Sequence, residues 1–246
     1  MAVSAPGDDV LGGLRRDLSD QGFRFVEGAT IRALLEQHHP LDDWAGFAAS
    51  WNELGPDTYL ASRGRERKRR YAAYSVSVDG GIKREPHQPH YQPLQYNPLQ
   101  GDIDRWFDPV LPAVAESSSL RAILEFSRDL FTGLRPGIAA WQLELHQFRI
   151  EARSGMAGEP TPEGVHRDGV NYVLVLLVDR ANIAEGTTTI HAEDGRELGH
   201  FTLTAPFDAA LVDDSRVLHG VTAVTPIDAA KPAHRDVLVV TYRAMR

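Results

Sequence analysis

From Ala140 to the C-terminus the apolar residues recur at a spacing of two rather than three or four. Trp141-Gln-Leu-Glu-Leu-His-Gln-Phe-Arg-Ile150 alternates, and Tyr172 to Val178 is a buried-strand run. Further short segments follow at 187–191, 197–203, 209–212, 217–224 and 236–242. Asp194-Gly195, Ala205-Pro206, Asp213-Asp214-Ser215 and Thr225-Pro226 punctuate them. Side chains of a strand alternate between its two faces, so this pattern specifies strands with a buried face. Many short strands separated by turn residues predict a sandwich or barrel. One antiparallel β-unit is therefore expected over 140–246.

The chain before 140 has a different texture. Val10, Leu11, Leu14 and Leu18 form a helical stripe, Gly22 breaks it, and Phe23–Val26 alternates like a strand. Thr30 is placed to cap a helix through Ile31, Leu34 and Leu35. Trp44, Phe47 and Trp51 recur at helical spacing as core-facing aromatics. Residues 80–113, rich in Pro, Gly, Gln and His, predict a long irregular stretch. Ser118–Leu134 reads as a helix with Leu120, Ile123, Leu124, Phe126 and Leu130 on its apolar face. The expected class is α+β, with N-terminal helices packed outside the β-unit. We expect a single domain over 1–246, with 1–139 as helical and loop-rich flank and 140–246 as core.

Composition removes several chemistries. There is no cysteine, which excludes disulfides, thiolate zinc sites, iron–sulfur clusters and a Cys nucleophile. A transition metal would have to rest on His, Asp and Glu. A net charge of −8 argues against a nucleic-acid partner. The longest aliphatic run, Val173–Val178, is too short to span a bilayer, and Met1–Asp9 lacks the pattern of a secretory leader. A cytoplasmic protein with no membrane partner is expected.

The ten histidines can then be sorted. His166 and Asp168, two apart, would share one face of a strand. His219 lies in a second strand-like segment 51 residues beyond Asp168. Two imidazoles and one carboxylate with open positions opposite suit non-haem Fe(II); zinc is the chemical alternative. Arg235 heads the apolar strand Arg235-Asp-Val-Leu-Val-Val-Thr-Tyr242. A guanidinium pointing inward there needs an anion, and its planar fork suits a carboxylate. Arg243, on the same face, competes for that role. His146 is expected to face the core, away from Gln147 and Arg149. His38 and His39 end a helix and should be exposed. His87 and His90 are separated by Pro89, which disfavours a helical metal pair.

Four stretches carry a family resemblance: Leu145-His-Gln-Phe-Arg149, His166-Arg-Asp168, His219-Gly-Val-Thr222 with Pro226 beyond, and Arg235-Asp-Val-Leu-Val-Val-Thr241. Arg67-Lys-Arg-Arg-Tyr-Ala-Ala-Tyr74 matches in outline. With these the chain resembles the Fe(II)/2-oxoglutarate-dependent dioxygenases over most of 65–243. Within them it is similar to the bacterial L-isoleucine 4-hydroxylase branch. The resemblance implies a double-stranded β-helix, or jelly roll. It implies Fe(II) on His166, Asp168 and His219, with 2-oxoglutarate anchored by Arg235 and contacted by Gln147. O2 is consumed and succinate and CO2 are released as an unactivated C–H of a small molecule is hydroxylated. A free L-amino acid or derivative is the expected substrate, with Arg69, Tyr71 and Arg149 as contacts. Because Asp168 is present, hydroxylation is expected rather than halogenation. The basic run Arg63–Arg70 is read partly as solvated face and partly as substrate recognition. Two other classes stay open: a zinc hydrolase on a cupin-like barrel, and a non-catalytic ligand-binding jelly roll.

Overall fold

The computed structural model describes residues 6–61 and 67–245. In chain order its helices are α1 (Pro6–Gln21), α2 (Gly28–Glu36), α3 (Trp44–Ala49), α4 (Thr58–Ala61), α5 (Pro112–Ala115) and α6 (Ser118–Leu134). The strands before α5 are β1 (Phe23–Val26), β2 (Gly55–Pro56), β3 (Lys68–Ser77) and β4 (Ile82–Arg84). Those after α6 begin with β5 (Ala140–Ala152), β6 (Tyr172–Ala181), β7 (Ile183–Glu185), β8 (Thr187–His191) and β9 (Glu197–Thr202). They end with β10 (Ala209–Asp213), β11 (Leu218–Val221), β12 (Val224–Pro226) and β13 (Ala233–Ala244).

The larger sheet runs β1-β10-β6-β13-β5-β3-β2, with β4 beside β3. The pairings along it are antiparallel. β13 is its axis, paired to β5 from Ala233↔Ala152 to Ala244↔Trp141 and to β6 on its other side. A second sheet, β11-β8-β9, and the β7-β12 pair cover one face. This is the jelly-roll arrangement, within an α+β chain.

Alternation along the central strands separates two layers. Leu143, Leu145, Leu174, Leu176, Leu238, Val240 and Tyr242 join the core with α6 residues Leu120, Ile123, Leu130 and Phe131. The opposite phase, including Val173, Val212, Ile150 and Val237, packs toward the smaller sheets. α6 is held at its start by Ser117, whose Oγ accepts from Leu120 N, and by Asp43, which accepts from Ser118 N and Ser119 N. These contacts satisfy N–H groups that a helix start leaves without partners.

Several expectations change. Thr30 lies inside α2; Glu27 is the N-cap residue, and Gly28 N donates to the Asp208 carboxylate instead. β3 was hidden in the basic run, because charged residues mask its two buried faces. The segment 217–224 divides into β11 and β12. Residue 139 is not a boundary of the sheet, since β1 and β3 precede it. His39 is half-buried, with Nε2 3.0 Å from a Glu125 carboxylate oxygen. Residues 63–66 of the basic run lie outside the described residues.

Leu130 is fully buried between α6 and the sheet. Leu130→Ala should lower unfolding free energy by about 2–5 kcal/mol in urea titration, with an unchanged m-value.

Candidate metal centre and ligand cavity

β11 supplies His219, and an isolated β-bridge to it places His166. His166 N donates to His219 O, and His219 N to His166 O, both at 2.9 Å. This reciprocal pair brings the two imidazoles together, with ring centroids 4.6 Å apart. The expected strand through His166 and Asp168 is absent: His166 makes one isolated bridge, and regular β-structure begins at Tyr172. Asp168 is placed instead by Asp214. The buried Asp214 carboxylate accepts from Asp168 N, Gly169 N and Val170 N at 2.9, 2.8 and 3.0 Å. Gly169 has φ +78°, and a Cβ there would sit 2.5 Å from the Tyr96 ring, so this turn requires glycine.

The result is a compact donor set. His219 Nε2 lies 3.5 Å from Asp168 Oδ2, and His166 Nε2 lies 3.7 Å from Oδ1. His166 Nδ1 donates to Gly164 O at 3.0 Å, which leaves Nε2 as the free donor atom. Burial opposes charge on His166, but the Asp168 hydrogen bond and charge, with Glu163, raise it to about 9. Burial and the neighbouring His166 push His219 down to about 4. Desolvation works to raise the half-buried Asp168, yet the His166 hydrogen bond and both imidazole charges hold it below the usual carboxylate range. Burial and the Asp168 charge push Asp214 up to about 7 against its three N–H bonds. The carboxylate thus draws positive charge to one side of the cluster. A divalent cation meets the same electrostatic demand, and two imidazole nitrogens with one carboxylate fit Fe(II).

His166, Asp168 and His219 line a cavity that Arg235 on β13 also lines. Arg235 is 2% exposed, and its Nε and Nη2 have no hydrogen-bond partner. Burial, then Arg180, lowers its pKa to about 10. Ile150, Val175, Val221 and Val237 share the cavity wall. A buried guanidinium with unmet N–H groups is costly without an anion, so this part fits a carboxylate. Arg243 keeps the same strand phase but is exposed at the far end of β13.

Arg69, Arg105, His90, Glu144 and His146 form a second polar part of the lining. Arg69 donates from Nη2 to His146 Nδ1 at 2.6 Å. Burial, then the Arg69 charge, holds His146 well below the ordinary histidine range, in the neutral form that accepts this bond. Tyr71 is buried beside them, its hydroxyl donating to Glu144 Oε1 at 2.9 Å. Asp57, fully buried, takes Arg67 at 3.0 Å and Arg69 at 3.5 Å. Gln92 Nε2 reaches Asp168 Oδ1 at 3.4 Å.

Two expected contacts are corrected. Gln147 and Arg149 occupy the β5 phase of Leu143 and Leu145, so they turn from the cavity toward the helix layer. Gln147 Nε2 donates to Ser50 Oγ, and Arg149 pairs with Asp236 at 2.6 Å and with Asn52. His146 takes the opposite phase, with Glu144, Phe148 and Ile150, and faces the cavity. Arg105 and Glu144 were missed. The i, i+2 phase of β5 could have found Glu144; Arg105 sits in irregular chain with no period to read.

The 2OG-Fe dioxygenase family model matches residues 48–241, and the chain belongs to this family. It is an oxidoreductase of a class that works with Fe(II), 2-oxoglutarate and O2. It is 25% identical to the 3(1)-hydroxy-L-isoleucine 4-dioxygenase of Pantoea ananatis over 236 residues, 92% of this chain and 93% of that protein. A solved structure of a bsmA homologue from Methylobium petroleophilum PM1 is 36% identical, with a TM-score of 0.86, covering 95% of this chain and 93% of that one. IDO from Bacillus thuringiensis shares the fold at 17% identity and a TM-score of 0.75, covering 96% of this chain and all of that one (100%). Among the described residues no helix is long and apolar enough to cross a membrane.

Two outcomes follow from the geometry. Asp214→Ala removes the anchor of the 168–170 turn, so Fe(II) affinity by anaerobic competition titration should fall roughly 10–100-fold. Burial works to raise Asp57, but Arg67 and Arg69 outweigh it and hold its folded pKa below the ordinary aspartate value. Its stabilising contribution is therefore present above that value and lost as pH falls through the lower folded pKa. Asp57→Asn should flatten this acid limb in urea melts taken across pH 2–6.

Proposed function

We propose that this dioxygenase hydroxylates an unactivated C–H of a free L-amino acid or close derivative. His166, Asp168 and His219 would hold Fe(II), and Arg235 would take the distal carboxylate of 2-oxoglutarate. The observation that carries this reading is the single cavity. Its lining joins a two-His, one-carboxylate cluster, a buried arginine with unpartnered N–H groups and a second polar, arginine-containing group. With both small molecules bound, the iron supplies O2 activation coupled to 2-oxoglutarate decarboxylation to succinate and CO2. The protein's own work is positional. Asp214 fixes the turn that carries Asp168, and Gly164 O orients His166. Val175, Val221, Val237 and Val239 line the cavity and limit water there.

The relatives support the substrate class, since the Pantoea enzyme's name places its action on an isoleucine derivative. We also take residues 1–246 as one catalytic unit, because strands from both halves interleave in the main sheet. A cytoplasmic setting fits a cysteine-free chain using reduced iron. The zinc-hydrolase and non-catalytic readings leave Arg235 without a task.

Anaerobic Fe(II) and 2-oxoglutarate should produce a visible chelate band that Asp168→Ala and His219→Ala abolish. Arg235→Gln should weaken 2-oxoglutarate about 100-fold, the loss of a charge-assisted contact. Mass spectrometry across the twenty amino acids and their N-acyl forms should show 2-oxoglutarate-dependent gain of one oxygen. No band in the wild-type protein overturns the iron reading, and a band with no amino acid oxidised overturns the substrate reading.

A further inference from the structure

A second polar part of the cavity lining, separate from Arg235, leaves buried guanidinium N–H groups unmatched. Arg69 and Arg105 are 3% and 1% exposed, and the Nε of each lacks a hydrogen-bond partner. Arg69 lies over the Phe107 ring at 3.6 Å and has a long 3.5 Å contact to Asp57, a carboxylate it shares with Arg67. Arg105 spends its two Nη groups on neutral amides, Gln100 Oε1 at 2.8 Å and Gln92 Oε1 at 3.0 Å. Asp57, Glu144 and Glu163 offset the charges of Arg67, Arg69 and Arg105, so what the guanidiniums lack is an acceptor for their unmatched N–H groups, which a carboxylate would supply.

Glu144 stands across the edge-to-face pair His90 and His146, whose centroids are 4.9 Å apart. Its Oε1 accepts from both Tyr71 Oη and His90 Nδ1, at 2.9 and 3.1 Å. Oε2 makes no hydrogen bond among the described residues, and the side chain keeps 18% exposure on the cavity wall. His90, Glu144 and His146 lie close enough to hold a metal ion. Yet Arg69 already occupies His146 Nδ1, and guanidiniums crowd the site, so a divalent cation is repelled. A ligand with no net charge but separated poles meets both needs.

We propose that Arg69, Arg105 and Glu144 form a zwitterion subsite, in which the guanidiniums take the α-carboxylate and Glu144 the α-ammonium of a free amino acid. This rests on the amino-acid reading above and deepens it. The backbone end of the substrate is held away from His166, Asp168 and His219, and its side chain is directed along the cavity toward them. Oxidation falls on a side-chain carbon, not on the α-carbon. Arg105 bonds Gln92, and Gln92 bonds Asp168, so the carboxylate end is also linked to a metal-cluster residue.

The test compares three matched compounds on the Fe(II)- and 2-oxoglutarate-loaded enzyme: the oxidised L-amino acid, its N-acetyl form and its deaminated carboxylic acid. The wild type should prefer the free amino acid by about 10–100-fold in KM, the weight of one charged hydrogen bond. Glu144→Gln should raise KM for the amino acid by that factor and leave KM for the deaminated acid within about twofold, collapsing the preference. Arg105→Gln should raise KM for all three carboxylates. The wild-type series stands alone if either variant fails to fold. Equal KM for the three compounds in the wild type, or an unchanged ratio in Glu144→Gln, overturns the subsite while amino-acid hydroxylation stands. A wild type that forms the chelate band but oxidises no amino acid overturns both readings.

Discussion

The structure depends on the double pairing of β13. This strand is bonded along its length to β5 on one side and β6 on the other. A strand held on both edges cannot slip by one residue without turning its whole apolar set to the wrong layer. The register therefore decides at once that Leu238, Val240 and Tyr242 meet the helices while Arg235, Val237 and Val239 face the cavity. Chemistry and core are two phases of one strand. The helix layer reinforces this choice. Tyr242 Oη lies 2.6 Å from Ser127 Oγ on α6, and the Phe131 and Tyr172 rings stack at 4.8 Å.

How much was legible in the sequence varied with how local the information was. His166, Asp168, His219 and Arg235 could be picked out because their order and the apolar strands beside them lie in the linear chain. The strand pattern after Ala140 was legible for the same reason. The phase of β5 was misread. Gln147 and Arg149 were expected at a ligand, although they share a face with Leu143 and Leu145, and those leucines are what set the face. Their polarity is absorbed by Ser50 beyond α3 and by Asp236 on the neighbouring strand β13. β3 was missed because its lysine and arginines hide a strand buried on both faces. Arg105 was beyond reach: it is positioned by paired backbone bonds with His90, a long-range contact within irregular chain.

Electrostatics divides the cavity into unlike regions. Around His166, Asp168 and His219 a carboxylate dominates and favours cations. Around Arg235, and beside Arg69 and Arg105, buried guanidinium N–H groups without partners favour a carboxylate. Such a field orients ligands before any close contact forms, because each carboxylate has one region that attracts it and another that does not. The low-dielectric valine walls strengthen these preferences.

The amide of Gln92 has one consequence for how such a protein can diversify. Its oxygen accepts from Arg105 and Asn97, and its nitrogen reaches Asp168. A change at this position disturbs recognition and the metal cluster together, so selection is expected to hold it still. Leu60, Leu99 and Val170 line the same cavity without that double duty. Variation in substrate size should therefore accumulate on these apolar walls, while the polar axis that sets which way round a ligand lies is inherited intact.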